Sequence, residues 1–257
     1  MPEQDHDPLK DSAGRPWAGR QFEENRSAAD DGSAPPELLA AVVAFRCGET
    51  GPAAVVDALR GARLLIPLVA KLGESGEGAH GRTVDKSAEL AIVTVAGPDG
   101  RDVLPVFSSV TAMAAWNPKA RPVPADGVRV ALAAASERTD LVVLDPASET
   151  EFALRRPAVW AMAQGDPWMP AHDDPDVLAA FADVVAPEPR IDGMLVRAGD
   201  PDARMRGPEI VLRLRLRPGL DRAELQELLD GVQRRIAAST VIADRVDSMS
   251  LKLETAG

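Results

Sequence analysis

The alternation of apolar and polar positions divides the chain into segments with helical, strand-like or no periodicity. Residues 1–34 show none; Gly, Pro, Asp and Ser recur throughout, the composition of a flexible acidic tail. Within it, RPWAGRQF carries Trp17 and Phe22, and aromatic rings in such a tail suggest that this part docks on the folded body or on a partner. The first periodic stretch, APPELLAAVVAF, gathers Leu38, Leu39, Val42, Val43 and Phe45 on one helical face behind Pro35 or Pro36, which suit a first turn. GPAAVVDALRGA predicts a second, short helix ended by Gly61. RLLIPLVAKL is a continuous apolar run expected as a strand buried on both faces, with Pro67 pointing to an edge or a bulge. It pairs naturally with AELAIVTVAG, and the GPDG turn at 97–100 leads on to DVLPVF, so three antiparallel strands should follow two helices.

SSVTAMAAW then predicts a helix, and NPKARPVPADG a proline-punctuated connection running extended over the surface. VRVALAAASE reads as a helix, LVVLDP as a strand, PASET as a turn before EFALR, and RRPAVWAMAQG as a helix from Pro157 to Gly165. DPWMPAHDDP links it to a further helix in DPDVLAAFADVV. Beyond Pro189 the order is strand, strand, helix, strand, in PRIDGMLVRAG, EIVLRLRLRP, DRAELQELLDGVQRRIAAS and DSMSLKLE. Leu225, Leu228, Leu229, Val232 and Ile236 recur at three- and four-residue spacing and should cover one face of that small sheet. The expected fold is α+β in two domains: residues 35–186 with a mixed, mainly antiparallel sheet packed by helices, and residues 190–257 as a ββαβ module.

Composition sharpens this picture. With 257 residues and 45% apolar side chains the chain can bury two modest cores, and with no tyrosine these must be aliphatic. No window approaches the apolar length of a membrane span, the charged start is unlike a signal peptide, and a single cysteine, Cys47, fits a reducing compartment; a cytoplasmic protein is expected. Residues 1–189 hold 17 basic and 29 acidic side chains, net −12, and residues 190–257 hold 12 and 11, net +1, a step that marks the boundary near 186–190. The overall charge of −11 argues against generic nucleic-acid binding, which is dominated by phosphate neutralisation.

Several chemistries can be weighed against the residues. A serine at a strand-to-helix step, as in Ser108 and Ser109, is where a hydrolase nucleophile would sit. Yet Phe107 and Val110 replace the glycines of the G-x-S-x-G elbow, and His6, His80 and His172 fall in tail, loop and linker, so no rigidly held base is in prospect. One of these serines is expected instead as a helix N-cap. The loop LGESGEGAHGR carries Glu74 and Glu77 and lacks the GK[ST] ending of a phosphate loop. Histidines and cysteine show no metal spacing, and Asp173, Asp174 and Asp176 read as a solvated linker and helix start, so neither metal nor cofactor is expected.

Two clusters suggest recognition. Arg155, Arg156, Trp160 and Trp168 combine guanidinium forks with flat apolar area, as on an interaction surface. The structural alternative is that Trp160 fills the core while the arginines pair with local carboxylates. In VLRLRLR, Arg213, Arg215 and Arg217 alternate with leucines and should line one exposed sheet face, able to meet an acidic partner or RNA or else to be balanced by acidic neighbours. That face offers no aromatic stacking platform.

The set RLLIPLVA, AELAIVTVAGPDGRDVLPVFSSVTAMAAW, LVVLDP and RRPAVWAMAQG resembles, in this order, an SseB-family protein of the actinobacterial type, a family named for enhanced serine sensitivity. The resemblance covers residues 37–185, and the C-terminal module is similar to the family's second domain. Ser108 stands where the family usually has threonine. The resemblance implies an α/β domain with a mixed, mainly antiparallel sheet and brings no established activity. The function expected is non-enzymatic protein–protein interaction through the surface around Arg155, Arg156 and Trp160, with the basic C-terminal strand as a further candidate. The alternatives are an enzyme or small-molecule sensor with its pocket between the two domains, and RNA or ribosome association through Arg213, Arg215 and Arg217.

Overall fold

The computed structural model describes residues 30–71 and 89–255. The expectations for Trp17 and Phe22, for His6, and for the loop with Glu74, Glu77 and His80 lie outside the described residues. Helix α1 (Pro36–Arg46) starts on a proline, whose missing N–H costs nothing in a first turn, and α2 (Pro52–Gly61) does the same. Leu38 and Val42, one turn apart, are the buried face of α1. Val43, expected on that face, is 57% exposed, because a step of one residue along a helix turns about 100° away from its neighbour.

Strand β1 (Arg63–Lys71) runs between β2 (Glu89–Ile92) and β5 (Arg121–Asp126), antiparallel to both. This corrects two expectations. The NPKARPVPADG connection contains a strand, since Arg121 to Asp126 pair residue by residue with Leu68 to Arg63. Pro122 and Pro124 are tolerated because residues two apart turn their nitrogens to the same side, here the outer edge of the sheet. β1 is central rather than an edge. Leu65 exchanges both backbone hydrogen bonds with Phe107, the β2 ladder begins only at Leu68, and Pro67 occupies the gap where no donor is needed.

The second sheet has the order β3-β4-β6-β7 (β3 Val95–Ala96, β4 Asp102–Val106, β6 Val142–Leu144, β7 Phe152–Leu154) and only its β4–β6 pair is parallel. Helices α3 (Val110–Trp116), α4 (Gly127–Ser136) and α5 (Arg156–Gln164) complete this part. Glycine is required at the start of α4, where a Cβ on Gly127 would collide with the Leu59 carbonyl of α2. Leu59, Leu64, Leu104, Leu144, Phe152 and Met162 centre the first core.

The second core joins α6 (Pro175–Val185) to β8 (Ile191–Ala198), β9 (Ile210–Leu216), α7 (Arg222–Ala238), α8 (Thr240–Arg245) and β10 (Met249–Thr255). Its sheet has the order β10-β9-β8, with β9 and β10 parallel across α7. Leu228 and Val232 of α7 are buried and Leu225, Leu229 and Ile236 flank them, as the spacing predicts. Asp221 and Glu224 close a reciprocal capping box at its start. The architecture is α+β, the described residues from Gly32 onward form one compact unit, and among the described residues no helix is long and apolar enough to cross a membrane.

Arginines close several helix ends from a distance. Arg60 of α2 donates to the Ala161 and Asp166 carbonyls at the end of α5, and Arg235 of α7 donates to the Val184 carbonyl of α6. Neither α5 nor α6 carries a basic residue in its own last turn, so these cations supply the missing partner for the terminal carbonyls.

At the strand-to-helix step, Ser109 is the N-cap of α3, its Oγ accepting the Ala112 N–H at 3.0 Å. Ser108 is 3% exposed, and both its N–H and its hydroxyl donate to the Asp145 carboxylate, at 2.8 and 2.6 Å. Thr150 donates a third bond to the same group at 2.8 Å. Ser109→Ala should cost about 1 kcal/mol, the loss of a cap, whereas Ser108→Ala should cost about 2 kcal/mol, because it strips a donor from a buried carboxylate. Urea unfolding of the two variants checks this; a larger loss for Ser109→Ala would contradict it.

Candidate functional site

Helix α5 follows directly from β7, and its first residues project in different directions. Arg155, the N-cap, turns inward and is 7% exposed. Its NH1 donates to Asp247 Oδ2 (3.2 Å) and Ser248 Oγ (3.1 Å), and its NH2 to Asp200 Oδ2 (2.8 Å) and the Gly207 carbonyl (2.7 Å). Arg101, at the β3–β4 turn, reaches the same Asp247 with a two-pronged pair at 2.9 Å for each bond. Burial pushes the Asp247 carboxyl up, but the hydrogen bonds and charges of Arg101 and Arg155 outweigh it and hold the group below the usual carboxylate range.

Asp200 organises the loop between β8 and β9. It accepts the backbone N–H groups of Arg204, Met205 and Arg206 besides the Arg155 guanidinium. The loop is thereby folded back as a strap over the second sheet, where the Ala203 carbonyl accepts the Ala153 N–H of β7 at 2.7 Å and Met205 packs with Val103, Leu141 and Val143. Arg46 of α1 also grips the strap, donating to the Asp202 carbonyl.

Arg156 donates to the Ala243 and Val246 carbonyls at the end of α8 (2.6 and 2.8 Å) and lies 5.1 Å from the centroid of the Trp160 ring one turn on. Both arginines therefore have intramolecular partners, remote in sequence rather than local. Trp160 is 40% exposed rather than in the core, and with Trp168 and the 48% exposed Met169 it lines an open groove beside α5, α6 and α8. Asp166 and Asp244 also line the groove, as does Arg245, which pairs with Asp174 and Asp176.

The groove shares Trp168 with a second concavity, a cavity of about 150 Å³ between the first core and the strap. Its apolar walls include Phe45, Val56, Phe152 and Trp168; Arg155, Asp200, His172 and Glu209 bring the polar groups. Glu209 accepts the Asp247 N–H at Oε2 (2.5 Å). Burial pushes its carboxyl up to about 7; the Asp247 charge adds to this, while the Asp247 N–H and the charges of Arg155 and Arg156 oppose it.

The remaining candidates lie apart from this cavity. Arg213, Arg215 and Arg217 extend along the exposed side of β9, where Arg213 meets Glu254 at 3.3 Å and Arg217 meets Asp192 at 2.9 Å. Among the described residues, no group of three or more His, Cys, Asp or Glu side chains could hold a metal ion. Sequence reasoning missed Arg101, Asp200, Glu209 and Asp247. Each sits in a turn or beside an apolar strand, where an isolated charge reads as solvated.

The raised Glu209 carboxyl has a thermodynamic consequence. The folded protein holds this proton up to about pH 7, whereas the unfolded chain releases it near 4.5. The stability it contributes is complete below the unfolded value and lost as pH rises through 7, to a total of about 3 kcal/mol. Between about pH 5 and pH 8 the wild type should therefore lose stability relative to Glu209→Gln in urea unfolding; an unchanged difference between the two proteins would contradict this.

Residues 38–161, from α1 into α5, match the family described as SseB protein N-terminal domain. No curated protein and no solved structure matches the chain. The elements of the first core, from α1 into α5, are thus those of an SseB N-terminal domain, and the chain carries that domain over residues 38–161.

Proposed function

We propose that the protein is a non-enzymatic regulatory module of the cytoplasm that takes a small molecule into the cavity beside Arg155. The observation that carries this reading is the convergence of apolar walls and buried polar groups on one concavity, contributed both by the SseB N-terminal domain and by the segments that follow it. A non-catalytic role agrees with the state of Ser108, whose hydroxyl is buried and bonded to Asp145. Trp168 lines both cavity and groove, so a ligand that moves this ring would alter the groove as well. The groove itself favours a second reading, protein–protein interaction over the exposed Trp160 and Met169, with the cavity as mere packing defect.

Methyl-resolved NMR distinguishes the two. Fragments of about six to nine heavy atoms, at about millimolar concentration, should shift the Ala153, Ala158, Ala198 and Ala203 methyls together. If cationic, neutral and anionic fragments all leave these methyls unmoved, the ligand reading fails and the groove alone remains.

A further inference from the structure

Glu209 differs from the other buried acids around Arg155. Asp200 and Asp247 both pair with that guanidinium, and Asp247 also with Arg101, so two cations and two carboxylates balance. Glu209 makes no ion pair among the described residues. Its Oε2 accepts the Asp247 N–H, Oε1 has no hydrogen bond among the described residues, and the residue, nine-tenths buried, lines the cavity. The aromatic walls formed by Phe45, Phe152 and Trp168 line the same space.

Resting on the reading of the cavity as a ligand site, we propose that its ligand is a small organic ammonium, a primary amine on a compact apolar body, held by Glu209 and by the aromatic walls. An ammonium offers N–H donors to the open Oε1 and a positive charge to the one of these three acids that makes no ion pair among the described residues, and aromatic rings attract such cations. An anion would find the opposite: both terminal nitrogens of Arg155 already donate twice, and three carboxylates lie close by. The volume sets the size of the body, since a cavity of about 150 Å³ accommodates a benzene-sized molecule.

The charged groups acting on Glu209 are Asp247, Arg155 and Arg156; Asp200 and the His172 imidazole lie elsewhere on the cavity wall. When Glu209 is protonated, binding transfers its proton to solvent while the amine keeps all of its own, leaving a carboxylate–ammonium pair. One proton is therefore released per complex below neutral pH and none well above it.

Titration of the full chain with benzylamine, benzyl alcohol and benzoate, followed by calorimetry in buffers of different ionisation heat, tests the proposal. Benzylamine should bind at least about tenfold more tightly than benzyl alcohol, with benzoate weakest, and its binding should release close to one proton at about pH 6. Glu209→Gln should bring benzylamine down to the level of benzyl alcohol. Should that variant not fold, the ranking and proton count of the wild type decide alone. Benzyl alcohol or benzoate binding as tightly as benzylamine, the absence of proton release, or indifference to Glu209→Gln would overturn the ammonium assignment and leave the cavity a ligand site. Failure of all three probes to bind would remove the ligand site as well.

Discussion

The buried guanidinium of Arg155 holds together parts of the chain that local structure would leave separate. It stands at the start of α5, on the rim of the first core, and its partners Asp200, Gly207, Asp247 and Ser248 come from the strap and from the start of β10. A charge taken out of water must be matched where it comes to rest, so the position of this one side chain fixes the strap and the β10 start relative to β7. The remaining donors of the network follow the same rule. Arg101 completes Asp247, and three backbone N–H groups complete Asp200. Such a network contributes less to net stability than to uniqueness, since desolvation offsets much of its attraction, but the loss of one member leaves the others buried and unmatched.

The cavity is a product of this arrangement. A backbone hydrogen bond at Ala203 and apolar packing at Met205 hold the strap against the second sheet, while Phe45, Phe152 and Trp168 line a space that these contacts leave unfilled. Glu209 lies at the edge of the network, bonded to the Asp247 backbone and in no ion pair among the described residues. Its perturbed carboxyl is thus a consequence of position: burial raises it, and the more distant charges of Arg155 and Arg156 offset this only in part. The same seam places Trp168 between cavity and groove, so the internal and external candidate sites have a wall in common.

Much of this fold is legible in the sequence because it is set by neighbours a few residues apart. The three- and four-residue spacing of Leu225, Leu228 and Val232, the alternation along β9, the GPDG turn and the Ser109 cap all carry local signals. Proline misleads in β5, where a strand is formed with its blocked nitrogens on the open edge. The site is less legible. Arg155 and Trp160 stand out as residue types, but the direction in which Arg155 points depends on Asp200 and Asp247, 45 and 92 residues further along. Ser108 is similar: its hydroxyl finds Asp145 at a separation of 37 residues, so a serine that reads as punctuation also anchors a buried carboxylate.

If Arg155 couples the two cores into one cooperative body, urea unfolding of the Arg155→Met protein, followed by methyl probes in each core, should show them uncoupled. Leu104 and Leu144 report the first core, and Leu212 and Leu228 the second. In the wild type all four should follow one transition. In Arg155→Met the two sets should separate, with a loss of about 3–5 kcal/mol from the carboxylates left unpaired. Coincident transitions in the variant, with a loss below about 1 kcal/mol, would contradict the account.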